Sequence, residues 1–350
     1  MTGTDKVLVV GPSWVGDMVM AQALYKLLCF QNAGVEIHVV APPWSLPVLE
    51  RMPEVARGIE LAVGHGEVGL GRRLTLARQL RPERYTRAIV LPRSAKAALV
   101  PWLARIPLRT GFRGEWRYGL LNDVRVLEAR FDQTVKRFLA LGVERDAPVP
   151  VPLPKELHPR LRSDRKNLER LRAAHGLVAG ARLAALMPGA EYGPAKRWPA
   201  AHYGALAAAL AGANTDVVVL GSAKERGIGD EVAARAASAR VRNLCGATSL
   251  ADVVDLLAAA DVAVSNDSGL LHVAAAAGAP VVAIYGSSSP KFTPPLTEEA
   301  AVVSLDIECS PCFERECPLK HFKCMNDLTP AIVLRAVETL RSARASEARR

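Results

Sequence analysis

The chain has 350 residues, half of them hydrophobic and only 5% aromatic, with a formal charge of +10. That length exceeds one small core and points to two domains. The longest run without Asp, Glu, Lys or Arg, residues 268–290, is broken by Gly, Pro and His, which argues against a membrane span. Residues 1–6 are polar and the apolar run 7–10 is too short for a secretory signal, so the expectation is a soluble, cytoplasmic protein with no transmembrane segment. Charge is unevenly placed: residues 1–165 hold 25 Lys and Arg against 16 Asp and Glu, whereas the remainder holds 20 against 19. The first half is therefore the side expected to meet something anionic, a membrane surface included.

Residues 6–10 read as a short apolar strand suited to the middle of a parallel sheet. The turn Gly11-Pro-Ser-Trp-Val-Gly-Asp17 follows, and 18–30 continue as a helix. This is the layout of the first βα unit of a nucleotide fold. Yet Gly-x-Gly-x-x-Gly is absent, and Gly11…Gly16 lacks the Lys-Ser/Thr of a phosphate loop. What remains is one carboxylate, Asp17, at the strand's carboxyl end, where ligands of open α/β sheets bind. Complementing the helix dipole is the plainer reading of the same residue. Residues 35–40 make a second strand, 43–52 a short helix, and 87–91 a strand ending in Pro92-Arg93-Ser94-Ala95-Lys96. Arg105, Arg109, Arg113 and Arg117 then recur among Trp102, Phe112, Trp116 and Tyr118. Gly111 and Gly114 interrupt them, so a loop is expected. Such a loop suits nucleic acid, sugars or lipid phosphates, or simply lays arginine stems on apolar surface.

Five prolines in residues 148–159 form a stiff connector and set the expected boundary. The domains are then 1–159, 160–329, and a C-terminal helix and tail, 330–350. A charged helix is expected at 160–175. Strands at 183–187 and 216–220 lead into the loops Pro188-Gly-Ala-Glu-Tyr-Gly-Pro-Ala-Lys196-Arg-Trp-Pro199 and Gly221-Ser-Ala-Lys224-Glu225, each followed by a helix. A brief strand at 242–245 and a helix at 250–260 precede a strand, turn, helix and strand at 262–286. The turn Asn266-Asp267-Ser268-Gly269 sets small residues at a helix start, where unpaired amides and the helix dipole attract an anion. It reads as a diphosphate cradle or as an ordinary capped turn. Residues 330–345 form the last helix, and Arg349-Arg350 a disordered tail.

Cys309, Cys312, Cys317 and Cys324, with His321 between the last two, resemble a compact metal knuckle, although the final spacing of six is not a standard zinc pattern. A structural zinc is the preferred reading; reduced thiols and a disulfide are the alternatives.

Several long motifs occur in order: Gly11-Pro-Ser-Trp-Val-Gly-Asp17-Met, Arg51-Met-Pro-Glu-Val, Gly64-His-Gly66, Arg117-Tyr-Gly-Leu-Leu-Asn-Asp-Val-Arg125, the 188–199 loop, and Asn266-Asp-Ser-Gly-Leu-Leu-His-Val-Ala-Ala275. In these the sequence resembles the lipopolysaccharide heptosyltransferases of the second type, from about residue 7 to residue 330. The resemblance implies an inverting GT-B glycosyltransferase with two Rossmann-like domains facing across a cleft and no obligatory metal. It implies ADP-heptose as donor and the first heptose of the lipopolysaccharide inner core as acceptor, at the cytoplasmic face of the inner membrane. Asp17 matches the catalytic aspartate; Lys196, Glu225, Asp267, Ser268, Gly269 and His272 match donor-binding positions, with a packed core histidine as the alternative for His272. Arg93, Lys96, Arg113 and Arg117 are the acceptor candidates. The sequence itself agrees in having no Asp-x-Asp metal–diphosphate anchor. A first-step heptosyltransferase is the nearest rival. A nucleic-acid-binding protein has only the basic charge in its favour, and a nicotinamide-dependent dehydrogenase lacks the glycine fingerprint.

Overall fold

A computed structural model describes residues 5–64, 67–212 and 214–347. The His65-Gly66 pair of the third motif and the terminal Arg349-Arg350 lie outside the described residues. The chain divides into two compact units, Met1–Pro159 and Arg160–Arg350.

The first unit is one six-stranded parallel sheet. Its strands are β1 (Lys6–Val10), β2 (Glu36–Ala41), β3 (Val55–Glu60), β4 (Arg87–Val90), β5 (Leu108–Phe112) and β6 (Asp123–Arg125). The order is β3-β2-β1-β4-β5-β6. Val10 pairs with Val40 on one side and Val90 on the other, so three strands end level with one another. The central strands are apolar on both faces because helices cover both. These helices are α1 (Val15–Gln31), α2 (Leu46–Leu49), α3 (Leu70–Leu80), α4 (Ala95–Leu103) and α5 (Thr134–Gly142). Leu8, Val40, Leu76, Tyr85, Ala88, Val100 and Ile106 are buried together on one face.

The second unit repeats the plan with β7 (Arg182–Met187), β8 (Thr215–Val219), β9 (Val241–Asn243), β10 (Val262–Asn266), β11 (Val281–Ile284) and β12 (Ala300–Val303). The order, β12-β11-β10-β7-β8-β9, is the same topology. Its helices are α6 (Arg165–Ala174), α7 (Ala200–Ala211), α8 (Arg226–Ala236), α9 (Leu250–Ala258), α10 (Gly269–Ala277), α11 (Lys323–Asn326) and α12 (Pro330–Glu347). α12 packs on β12 and α7, placing Val333 and Val337 in the same core as Trp198, Val219 and Ile284.

The segment expected as a basic loop contains β5. Thr110, Gly111 and Phe112 are buried, Gly111 pairs with Val90, and Arg109 donates to the Leu120 and Ile106 carbonyls at 2.7 and 2.6 Å. Local charge was overridden by pairing with β4. No described helix is long and apolar enough to cross a membrane.

Candidate functional site

In each sheet the chain winds outward from one central strand and then returns to that strand's other side. The crevices at these reversals, β1/β4 and β7/β10, are where an open α/β sheet receives its ligand.

At the first reversal, β1 is followed by Gly11, whose amide donates to the Val40 carbonyl at 2.9 Å. A Cβ on Gly11 would lie 2.6 Å from Met18 Cε, so a larger residue there would push the methionine side chain aside. α1 starts at Val15, three residues earlier than expected, which puts the half-buried Asp17 in its first turn. Arg93 follows β4 and is exposed; Gly114 passes so near that a Cβ there would meet the Arg93 carbonyl at 2.6 Å. Lys96 is half-buried, its Nζ donating to the Glu67 carbonyl at 3.3 Å, and Arg113 is exposed just past β5.

Arg117 corrects one expectation. Its side chain is buried, 2% exposed, and its guanidinium donates to the carbonyls of Phe112, Pro92 and Ser94. Burial pushes its pKa down to about 10, with Arg93 adding to the shift. It is a staple between the loops after β4 and β5, with its donors spent on backbone, and is not an acceptor-facing cation.

The second reversal is organised by Asn266, fully buried at the end of β10. Its Oδ1 accepts from the Trp198 amide and the Tyr203 hydroxyl at 3.1 Å each, while its Nδ2 donates to the Pro188 carbonyl at 2.7 Å. This side chain ties the turn after β10 to the loop after β7. Nothing in the sequence gives Asn266 a role, because a buried asparagine carries no spacing signal.

Lys196 is brought to Asp267 by that tie, with Nζ 2.5 Å from Oδ2 and side-chain exposures of 18% and 6%. Asp267 Oδ1 accepts from Thr293 Oγ1 at 3.3 Å. The Tyr192 ring has the Lys196 ammonium 4.9 Å and the Arg315 guanidinium 5.0 Å from its centroid. Arg315 is a further site-side cation that nothing in the sequence marked. A Cβ on Gly193 would come within 2.4 Å of the Arg315 carbonyl, so glycine lets the two loops touch.

Ser268 is the N-cap of α10, extended at φ −141°, ψ 170°, and makes no side-chain cap bond; its hydroxyl lies 3.2 Å from Ser265 Oγ. The Gly269 amide opens the helix, in the geometry that binds an anion. His272, one turn in, is 5% exposed, and its Nδ1 has no hydrogen-bond partner in the structure. Burial pushes its imidazole below the usual histidine range; Asp267 opposes the shift and Lys196 reinforces it. A neutral imidazole beside the Lys196–Asp267 pair is the result. Glu225 sits one strand over. Its Oε2 accepts from the Ser222 amide at 2.7 Å, and a Cβ on Gly189 would fall 1.6 Å from its Oε1. Glycine at 189 therefore makes the room this carboxylate occupies at the edge of β7 and β8.

The cysteine cluster was expected to hold a structural zinc. All four thiols are free, and among the described residues no three His, Cys, Asp or Glu are grouped so as to hold a metal ion. Cys309, Cys312, Cys317 and Cys324 thus do not form the expected zinc site in this structure. Cys317 Sγ is taken up by its own turn, accepting from the Phe322 amide at 3.4 Å; burial opposes, but the amides of Phe322, Leu319, His321 and Lys320 draw its thiol below the usual range. Cys324 packs against Gly286, its thiol pushed up by burial and by the other three cysteines.

Two units of the same topology in tandem, each a parallel sheet covered by helices with an open reversal at its centre, have the architecture of a GT-B-type glycosyltransferase. Residues 73–323 match the family model for glycosyltransferase family 9 (heptosyltransferase), and the chain belongs to that family. It is 45% identical to lipopolysaccharide heptosyltransferase 2 of Salmonella typhimurium over 96% of its length and 99% of that protein. With lipopolysaccharide heptosyltransferase 2 of Escherichia coli it shares 44% identity over 96% of this chain and 98% of the relative. The solved structure of E. coli ADP-heptose lps heptosyltransferase II superposes with a TM-score of 0.84 at 41% identity, covering 97% of this chain and 99% of that one.

Proposed function

We propose that this chain transfers L-glycero-D-manno-heptose from ADP-heptose onto the first heptose of the lipopolysaccharide inner core, inverting the anomeric centre. The observation that carries the reading is 44–45% identity over nearly the full length of heptosyltransferases of the second type, together with the charge arrangement at the second reversal.

Asp17 accepts the proton of the acceptor hydroxyl as that oxygen attacks the donor's C1. Such general-base help is worth roughly 10²–10⁴-fold. The sugar passes through an oxocarbenium-like state while negative charge gathers on the departing diphosphate. Lys196 and the amides of Ser268 and Gly269 stabilise that charge at a site organised before the reaction. Asp267 holds Lys196 in place, and a neutral His272 adds no competing charge. Glu225 accepts hydrogen bonds from the ribose hydroxyls. The exposed Arg93 and Arg113, with Lys96, meet the anionic groups of the acceptor, which accords with the basic first half of the chain. This chemistry calls on no metal or other cofactor, and it is set at the cytoplasmic face of the inner membrane, where a lipid-linked acceptor is presented.

The test is turnover of ADP-heptose with purified core oligosaccharides that carry or lack the first heptose. Transfer only to the heptose-bearing acceptor supports the reading. Transfer only to the acceptor lacking it assigns the chain to the first step instead.

A further inference from the structure

Two large aromatic side chains stand half out of the protein at the edge that carries Asp17. Trp14 is 42% exposed and Trp44 is 44% exposed. Val10 of β1 and Val40 of β2 are register partners, and each tryptophan lies four residues beyond its strand's partnered valine. Trp14 precedes α1 in an extended conformation, three residues before Asp17, and Trp44 sits in the single 3₁₀ turn Pro43–Ser45. The Trp44 indole N–H donates to the Ser13 carbonyl at 2.9 Å, fastening the second loop to the first. The Trp44 ring is thereby held beside the turn that carries Trp14, at the carboxyl ends of adjacent strands.

The order of the sheet then gives this edge a direction. From β2 through β1 and β4 to β5 it carries the indoles, the Asp17 carboxylate, Arg93 and Lys96, and finally Arg113. Trp44 lies on one flank of the carboxylate and the cations on the other, while Trp14 shares the carboxylate's own turn. Indole rings offer a broad, electron-rich face at small entropic cost, and a ring already fixed by a hydrogen bond loses little more on binding. A sugar ring presents C–H groups of matching polarity on its own face.

We infer that Trp14 and Trp44 are the platform on which the acceptor's sugar ring rests, so that the acceptor lies across this edge with its ring toward β2 and its anionic substituents toward β4 and β5. The inference rests on the heptosyl-transfer reading and deepens it: it names the groups that bind the acceptor's uncharged surface and the orientation in which its hydroxyl meets Asp17.

Soluble, lipid-free core oligosaccharide, intact and dephosphorylated, tests this with Trp14→Ala, Trp44→Ala, Trp44→Phe and Arg113→Ala. Acceptor KM and calorimetric binding without donor are measured for each, with KM for ADP-heptose alongside. The two alanine variants are expected to weaken acceptor binding roughly tenfold or more on both acceptors while the donor KM stays within about twofold. Trp44→Phe, which keeps an aromatic face, recovers most of the loss. Arg113→Ala weakens only the phosphorylated acceptor. Should Trp44→Ala fail to fold, Trp14→Ala and Trp44→Phe carry the comparison. Alanine variants that match the wild type on both acceptors overturn the platform. If the wild type neither binds nor modifies any core oligosaccharide, the transfer reading falls and the platform with it; if it transfers normally and the variants do too, the platform alone falls.

Discussion

Replacing Lys196 with Met keeps chain length, removes the charge, and separates two roles that one residue carries. The Lys196–Asp267 contact is 2.5 Å between groups of 18% and 6% side-chain exposure. Lys196→Met therefore strands a nearly buried carboxylate. Breaking a buried pair from one side costs about 3–5 kcal/mol, most of it from the charge left behind. The same substitution removes a cation from the leaving diphosphate, a loss of roughly 10²–10³ in kcat. The double variant Lys196→Met/Asp267→Asn neutralises the stranded charge and keeps a group able to bond Thr293, so it should regain most of the stability and none of the rate. Urea unfolding and single-turnover kinetics at saturating substrate read the two quantities separately. The reasoning is refuted if the single variant unfolds within about 1 kcal/mol of wild type, or if the double variant recovers turnover along with stability.

Arg117→Ala leaves three backbone carbonyls without their donor and is expected to cost about 1–3 kcal/mol for each one left buried and unpaired, read in urea unfolding, with Arg117→Lys recovering less than half because an ammonium cannot span the same fork. Gly189→Ala forces Glu225 aside, since the new Cβ would sit 1.6 Å from its Oε1; ADP binding measured by calorimetry should fall to the level of Glu225→Ala, with the fold retained. His38, His202 and His272 are each held below the ordinary histidine value of 6.5, chiefly by burial. Just below that value the unfolded chain binds more protons than the native one. Stability is thus fully present above about pH 6.5 and falls as pH drops below it. Urea midpoints from pH 8 to 5 should follow that curve, and His272→Gln should flatten it.

The pattern of strands and turns was legible because β1, β7, β10 and β11 are continuous apolar runs, which a sheet covered on both faces requires. β3 and β12 were not, since edge strands bury little: β3 is Val-Ala-Arg-Gly-Ile-Glu with mostly exposed side chains. β5 was hidden by Arg109 and the arginines flanking it; the Arg109 guanidinium reaches loop carbonyls that no sequence spacing reveals. Among site residues, Lys196 and Asp267 stand 71 positions apart, and a resemblance to relatives was needed to link them. Arg117 misled for a related reason: an arginine among exposed aromatics looks the same whether it faces solvent or is folded inward. Asn266, Tyr192 and Arg315 act through tertiary contacts alone, and only coordinates show those.

The account rests on a carboxylate in the first turn of α1 acting as the base. The direct measurement is kcat for Asp17→Asn with ADP-heptose and the heptose-bearing acceptor, alongside its unfolding midpoint and donor KM. A fall of roughly 10²–10⁴ in kcat with fold and donor affinity preserved is the predicted result. Near wild-type turnover, with only a small shift in stability from the altered helix start, would leave Asp17 a dipole partner and contradict the mechanism.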